Sequence, residues 1–199
     1  MPRRIRPHVN PLSITKEYFF EGFENNASII VDMGACKGEF TEQLLEKFPE
    51  KNFILFEIRF PLAEKLREKF AGCDNVVVFD GDAGRNFESI VRPSVDRGVK
   101  LETIFVNFPD PWFKEKHKKR RFINEKFLAQ CAEWISPETE FVFQTDQKFL
   151  FDETLEVVQD SVFSRVEFFD DSPHGIRTDW EEAKVREGGE VFRMKFWKR

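Results

Sequence analysis

The chain has 199 residues, a length that suits one domain with a single hydrophobic core. A formal net charge of −5 at pH 7 excludes a polycation that binds nucleic acid over its whole surface. The three cysteines form no C-x-x-C pair and no apolar segment follows the basic N-terminus, which predicts a reducing, cytoplasmic environment. No stretch approaches the ~18 apolar residues of a membrane span, and the histidines have no ligand-spaced partners, so we expect neither a membrane protein nor a metal site.

Short apolar runs alternate with longer amphipathic stretches along most of the chain. Apolar residues recurring every three or four positions predict helices after the first strand, from Pro61, over 122–135 and around 150–158. Strands that alternate with helices form βαβ units, so the pattern predicts a doubly wound α/β domain with a mostly parallel sheet. The predicted strands of this sheet are 28–33, 52–58, 75–79, 101–108 and 140–146.

The C-terminal segment has a different pattern from the rest. Phe192, Met194 and Phe196 alternate with Arg193 and Lys195, which predicts an antiparallel edge strand with one face in water. We therefore expect a mostly parallel sheet that ends in an antiparallel strand.

Positive charge is concentrated in two places. Three arginines, Arg3, Arg4 and Arg6, lie near the N-terminus, and residues 114–121 carry six basic residues against Glu115. We expect residues 1–26 to form a basic, partly flexible arm and residues 27–199 to form a single domain.

A polar side chain follows each of the five predicted parallel strands. In open α/β sheets, ligands bind outside these strand ends. A single Asp or Asn there can also be a turn former or a helix cap, but the full set favours a polar ligand site. The residues are Asp32, Glu57, Asp80, Asp82, Asn107, Asp110, Thr145 and Asp146.

The glycine turn after the first strand narrows the choice of ligand. Gly34 and Gly38 are spaced G-x-x-x-G, which disfavours an NAD-linked oxidoreductase with its G-x-G-x-x-G turn. Glu39 and Glu42 lie in the first turn of the next helix, where negative charge discourages a phosphate. A phosphate-free, cationic nucleoside such as S-adenosylmethionine fits better, with its ribose at Glu57.

Six segments of the chain resemble, in order, the motifs of the bacterial tRNA (guanine-N7)-methyltransferases: "VDMGACKGEF", "LFEI", "GDA", "NFPDPWFKEKHKKRRF", "QTD" and "RTDWEEAKVREGGEV". The opening "RIRPHVNPLS" is similar to the N-terminal arm of that family. The resemblance covers nearly the whole chain, and its most specific part is the F-P-D-P-W-x-K string. It implies a class I, Rossmann-like methyltransferase with a seven-stranded sheet. It also implies that the protein uses S-adenosylmethionine to methylate N7 of a guanosine in tRNA, giving 7-methylguanosine.

The resemblance also implies roles for individual positions. Asp110 matches the aspartate taken as catalytic, and Cys36 stands where the family has the middle glycine of its G-x-G-x-G turn. The substrate positions are Lys114, Asp146, Thr178 and Glu181. The expected cofactor-binding residues are Asp32, Gly34, Gly38, Glu57, Asp82, Asn107 and Asp110, with the adenine near Asp82.

The basic segment behind the fourth strand fits an RNA substrate, because its charges can hold phosphates while Asp110 faces the base. A solvated basic loop is the alternative. We also keep open a methyltransferase of the same fold that acts on another acceptor, and a non-catalytic RNA-binding module. The expected partner is tRNA, the expected state a monomer or weak homodimer. The predicted RNA contacts beside Lys114 are Lys116, Lys118, Lys119, Arg120 and Arg121.

Overall fold

The computed structural model describes residues 9–199, so Arg3, Arg4 and Arg6 lie outside the described residues. Within this range the strands are β1 (Ile29–Met33), β2 (Asn52–Glu57), β3 (Val76–Asp80), β4 (Leu101–Asn107), β5 (Glu140–Thr145), β6 (Arg165–Phe168) and β7 (Phe192–Trp197). The α-helices are α1 (Glu39–Lys47), α2 (Phe60–Lys69), α3 (Ala83–Asp96), α4 (Glu125–Ala132), α5 (Lys148–Gln159) and α6 (Asp179–Arg186).

The seven strands form one sheet in the order β3-β2-β1-β4-β5-β7-β6. The pairs among β1 to β5 are all parallel, which confirms the predicted doubly wound architecture. From β1 the chain first adds β2 and β3 on one side and then returns to add β4 and β5 on the other. The order therefore reverses between β1 and β4, and ligands bind at such a switch point.

The core consists of two apolar clusters, one on each face of the sheet. Val31 and Ile104 pack with Phe87 of α3 on one face, whereas Ile30 and Phe105 pack with α1 and α2 on the other. Neighbouring residues of a strand point to opposite faces, so both faces must be apolar when helices cover both. Burial of one large apolar side chain contributes about 1.5–3 kcal/mol, and these strands supply such side chains in succession.

Strand β7 is antiparallel, as predicted, but the prediction that it lies at the edge is wrong. It lies between β5 and β6 and pairs antiparallel with both. Met194 and Phe196 are fully buried, and the alternating Lys195 is only half-exposed because it forms an ion pair with Glu140 at 3.2 Å. The edge is β6, whose four residues are mostly exposed and therefore carry little apolar signal.

The segment before β1 packs along α3, a helix that the sequence analysis did not predict. Tyr18 donates its backbone N–H to Asn86 Oδ1 at 2.7 Å, and Ser89 Oγ donates to Tyr18 O at 2.7 Å. Burial alone would raise the pKa of Asp80, but hydrogen bonds from Tyr18, Lys16 and Arg67 outweigh it and hold the pKa at about 2. Asp80 therefore anchors this segment to the sheet. No helix within residues 9–199 is both long and apolar enough to cross a bilayer.

Candidate active site

An open cleft of 1990 Å³ lies at the carboxyl ends of β1, β2, β4 and β5. It brings together most of the side chains that the sequence analysis selected. Its lining leaves out Gly38, Asp80, Lys114, Thr145 and Glu181. The selected residues that line it are Asp32, Gly34, Glu57, Asp82, Asn107, Asp110, Lys116, Lys118, Lys119, Arg120, Arg121, Asp146 and Thr178.

The turn after β1 forms the floor of the cleft. Gly34 has φ +93° and a Cβ added to it would meet no atom within 4 Å, so its backbone leaves room for a ligand. Gly38 serves packing instead, because an added Cβ would lie 2.6 Å from Leu66 Cδ2 of α2. Cys36 has φ +55°, a left-handed conformation that favours glycine, and its side chain is exposed.

Asp32 lies beneath this turn and is buried. Burial raises the pKa of its carboxyl to about 6, the hydrogen bond from Thr41 opposes that rise, and the charge of nearby Glu57 adds to it. Thr41 Oγ1 donates to Asp32 Oδ2 at 2.7 Å. The two carboxylates at the ends of β1 and β2 therefore make the bottom of the cleft strongly acidic.

Glu57, which is also buried, is held by four N–H donors of this chain. Arg59 donates through Nε at 2.8 Å to Oε1 and through Nη2 at 2.9 Å to Oε2. The backbone N–H groups of Arg59 and Cys36 add bonds of 2.8 Å and 2.9 Å. Sequence reasoning missed Arg59, although its position two residues after Glu57 was visible. A ribose that binds Glu57 must share the carboxylate with Arg59.

Asp82 caps the N-terminus of α3 on the third side of the cleft. Its side chain accepts from Gly84 N at 3.2 Å, and burial raises the pKa of the carboxyl against that hydrogen bond. The cap fixes the carboxylate at the cleft wall, beside Ala83. The structure thus gives Asp82 a local role that is compatible with the predicted adenine contact.

The loop that carries Asp110 leaves the end of β4 through an unusual backbone. Phe108 and Trp112 have φ of +48° and +46°, and each such left-handed residue costs about 1–3 kcal/mol. Between them, Pro109 and Pro111 fix their own φ angles on either side of Asp110. Strain of this kind is kept at functional sites, because the surrounding structure holds one backbone direction.

The basic segment follows as a 3-10 helix, Glu115–Arg120, on the rim of the cleft. The guanidinium of Arg120 lies 4.8 Å from the centre of the Trp112 ring. Arg121 instead points inward, where its Nε donates to Pro111 O at 3.1 Å and its Nη1 bonds Glu153. It anchors the Asp110 loop in this structure. Four lysines of the segment are exposed: Lys114, Lys116, Lys118 and Lys119.

The remaining predicted substrate residues lie around the start of α6. Thr178 lines the cleft and caps α6, because its Oγ1 accepts from Glu181 N at 3.1 Å. Asp146 also lines the cleft, where Lys184 Nζ lies 3.5 Å from its carboxylate. Glu181 is fully buried behind them and binds Arg193 Nη2 at 2.6 Å.

These residues fit S-adenosylmethionine. Asp32, Glu57 and Asp82 offer carboxylates to a cationic nucleoside, and the apolar Ile58 lies in the same cleft. Glu39 lies in the first turn of α1, so this helix start presents an acid to the cleft rather than a phosphate site. Within residues 9–199 no cluster of His, Cys, Asp and Glu could hold a metal ion.

The sheet order, with a cleft at its switch point, is that of the class I methyltransferase fold. Residues 26–194 match a family model described as "Putative methyltransferase". The chain is 30% identical to the tRNA (guanine-N(7)-)-methyltransferase of Prochlorococcus marinus (strain NATL1A), in an alignment that covers 96% of both chains. The chain therefore belongs to the tRNA (guanine-N(7)-)-methyltransferase family.

Solved structures show the same fold at low sequence identity. The aminoglycoside resistance methyltransferase NpmB1 matches with a TM-score of 0.59 and 14% identity, over 86% of this chain and 87% of that one. Human methyltransferase-like protein 13 in complex with SAH matches with a TM-score of 0.54 and 16% identity, over 86% of this chain and 72% of that one.

Proposed function

We propose that this protein transfers the methyl group of S-adenosylmethionine to N7 of a guanosine in tRNA, giving 7-methylguanosine. The observation that carries the proposal is the position of Asp110, which lies in the cleft that holds Asp32, Glu57 and Asp82 and directly beside an exposed basic helix. The family to which the chain belongs supports the choice of tRNA as substrate. A tRNA substrate in turn supports a cytoplasmic location.

The chemistry demands little proton transfer from the protein. Guanine N7 carries a lone pair and no proton, so the protein needs no strong general base. S-adenosylmethionine, when bound, supplies a methyl group on a positively charged sulfur. The protein must hold donor and acceptor in line at reacting distance, and alignment of this kind can account for several kcal/mol of rate enhancement. Asp32, Glu57 and Asp82 are the residues that would hold the cofactor in place.

Asp110 is the proposed catalytic residue. Positive charge appears on the purine as N7 gains a methyl group, and a carboxylate beside the base stabilises that charge. The same carboxylate can accept hydrogen bonds from the N–H groups of guanine and so select this base. The two flanking prolines and the left-handed residues outside them hold Asp110 in one direction, which reduces the reorganisation needed during the reaction.

The exposed basic segment is the proposed RNA footprint. Lys114, Lys116, Lys118, Lys119 and Arg120 would bind phosphates, while Arg121 would hold the loop to Glu153. The predicted substrate residues Asp146 and Thr178 lie at the cleft and can contact the tRNA directly. Glu181 would act through Thr178 and Arg193, because its own carboxylate is buried.

The test is transfer of labelled methyl from S-adenosylmethionine to unmodified bulk tRNA, followed by nucleoside analysis. We expect 7-methylguanosine as the labelled product. Asp110→Asn should lower turnover by at least a hundredfold while the Kd for S-adenosylmethionine, measured by calorimetry, changes little. Cofactor binding without transfer to tRNA would indicate another acceptor. Loss of both would favour a non-catalytic RNA-binding module.

A further inference from the structure

We propose that Arg193 and Gln144 orient the side-chain amide of Asn107 so that its Nδ2 donates to O6 of the guanine base. Asn107 would thus be a specificity-determining residue, with Gln144 and Arg193 as positioning residues behind it. The proposal rests on the proposed function, because it assigns O6 of the guanine base as the atom that the site recognises.

Three polar side chains form a continuous hydrogen-bonded row across β4, β5 and β7, and its β4 member lies three residues before Asp110 in the chain. Asn107 and Gln144 face each other across β4 and β5, and Gln144 Nε2 donates to Asn107 Oδ1 at 2.9 Å. Gln144 Oε1 accepts from Arg193 Nε of β7 at 3.3 Å. Gln144 is fully buried, and the Arg193 side chain is 8% exposed. Little solvent therefore reaches the row.

The orientation of both amides follows from donor and acceptor chemistry. A guanidinium can only donate, so the oxygen of Gln144 must face Arg193 and its NH₂ must face Asn107. Asn107 then accepts through Oδ1, and its Nδ2 points away from the row. Arg193 cannot rotate freely, because its Nη2 binds Glu181 at 2.6 Å and its Nη1 donates to Asp170 O at 2.8 Å.

The amide NH₂ of Asn107 finds no acceptor among the described residues, although it is shielded from solvent. A buried donor without a partner costs about 1–3 kcal/mol, so a retained one calls for an explanation. Asn107 belongs to the cleft lining and precedes Asp110 by three residues. Binding of the base would have to uncover this donor, and a ligand atom that accepts a hydrogen bond from it would then remove the cost.

The acceptor that the reaction brings to this place is O6 of guanine. O6 lies next to N7 on the base and beside the N1–H group, so a donor from Asn107 and an acceptor from Asp110 would match adjacent atoms. Adenine carries an NH₂ group where guanine carries O6, so Asn107 would place a donor against a donor. A well-placed pair of hydrogen bonds of this kind discriminates between bases by about 1–3 kcal/mol.

The experiment compares two tRNA substrates that differ only at the base. The methylated guanosine is replaced by 2-aminopurine riboside, which keeps N7 and lacks both O6 and the N1–H group. We expect the wild-type protein to prefer the guanine substrate in kcat/KM by roughly tenfold to a hundredfold. Asn107→Ala should lower this ratio several-fold and leave the part of the preference that the N1–H contact of Asp110 contributes. A lower fraction of folded protein reduces the rate with both substrates equally and therefore leaves their ratio unchanged. A merely structural role of Asn107 would thus not change the ratio.

Gln144→Glu tests the positioning role. Its carboxylate still accepts from Arg193 but offers Asn107 an acceptor, so the Asn107 amide should rotate and present Oδ1 to the base. The ratio should then fall as in Asn107→Ala. Gln144→Met is the second variant, since it interrupts the row without a buried charge. The matched control is Gln159→Glu at the exposed end of α5, which should keep the wild-type ratio.

A wild-type ratio in the folded Asn107→Ala and Gln144→Met variants would overturn the proposal. An unchanged ratio with a raised Kd for S-adenosylmethionine in Asn107→Ala would also overturn it and assign Asn107 to the cofactor. Failure of the proposed function has a different signature, because the wild-type protein would then not methylate the guanosine-containing tRNA at all.

Discussion

Replacement of Arg59 tests the proposed cofactor site, because it should strengthen binding of S-adenosylmethionine. A purely structural role of Arg59 would not predict that result. Its guanidinium occupies both oxygens of Glu57, the carboxylate that would bind the ribose of S-adenosylmethionine. One hydrogen bond to a charged group contributes about 1.5–3 kcal/mol. A ribose hydroxyl must displace at least one such bond and recovers only part of that energy. Removal of the competitor should therefore favour binding by about 1.4 kcal/mol, a factor of ten in Kd.

Arg59→Ala should thus lower the Kd for S-adenosylmethionine about tenfold, as measured by isothermal titration calorimetry. The same change should lower the free energy of unfolding, because it leaves the buried Glu57 with only its two backbone donors. Lys65→Ala, an exposed change on α2, should alter neither quantity. A higher or unchanged Kd in a folded Arg59→Ala protein would refute the competition and show that Arg59 organises Glu57 for the ribose.

Three further predictions concern the turn, the floor and the rim of the cleft. Cys36→Gly should raise the free energy of unfolding by up to about 1 kcal/mol in urea titrations, because φ is +55° there; a loss of stability would contradict the strain. The pKa of Asp32 is raised from 3.8 to about 6 in the folded state. The stability that this carboxyl contributes is therefore full below pH 4 and should decrease by about 3 kcal/mol as pH rises through 6. Asp32→Asn should flatten that decrease. Reversal of the exposed charges Lys116, Lys118 and Lys119 should reduce the salt dependence of tRNA binding. Reversal of Lys65 and Lys100, which do not line the cleft, should leave that salt dependence unchanged. An equal salt dependence in both variants would refute the proposed RNA footprint.

The parallel strands could be predicted within one residue at each end. The sequence analysis predicted 101–108 and the structure has Leu101–Asn107, and the other four agree as closely. These strands are covered by helices on both faces, so they appear in the sequence as continuous apolar runs. The short edge strand β6 lacks such a run, and without it the position of β7 could not be deduced.

Most cleft residues could also be found from the sequence, because the ends of parallel strands meet at one edge of the sheet. The acids Asp32, Glu57 and Asp82 reach the cleft for this reason. The hydrogen bonds between buried polar side chains could not be predicted in this way. Gln144 and Arg193 are 49 positions apart, and their hydrogen bond depends on β7 lying beside β5 rather than at the edge.

The floor of the cleft illustrates why a site can oppose the stability of its own fold. Asp32 and Glu57 are both buried and their charges interact, which helps to raise the pKa of Asp32. A fold selected for stability alone would replace one of them with a neutral side chain, since buried like charges are destabilising. Arg59 compensates the charge of Glu57, whereas Asp32 is paired with the neutral Thr41 hydroxyl, so a cationic ligand would reverse this balance mainly by compensating Asp32. Ligand binding then returns stability to the fold in proportion to ligand concentration. The arrangement is thus unfavourable for the protein alone and favourable for a complex with a positively charged nucleoside.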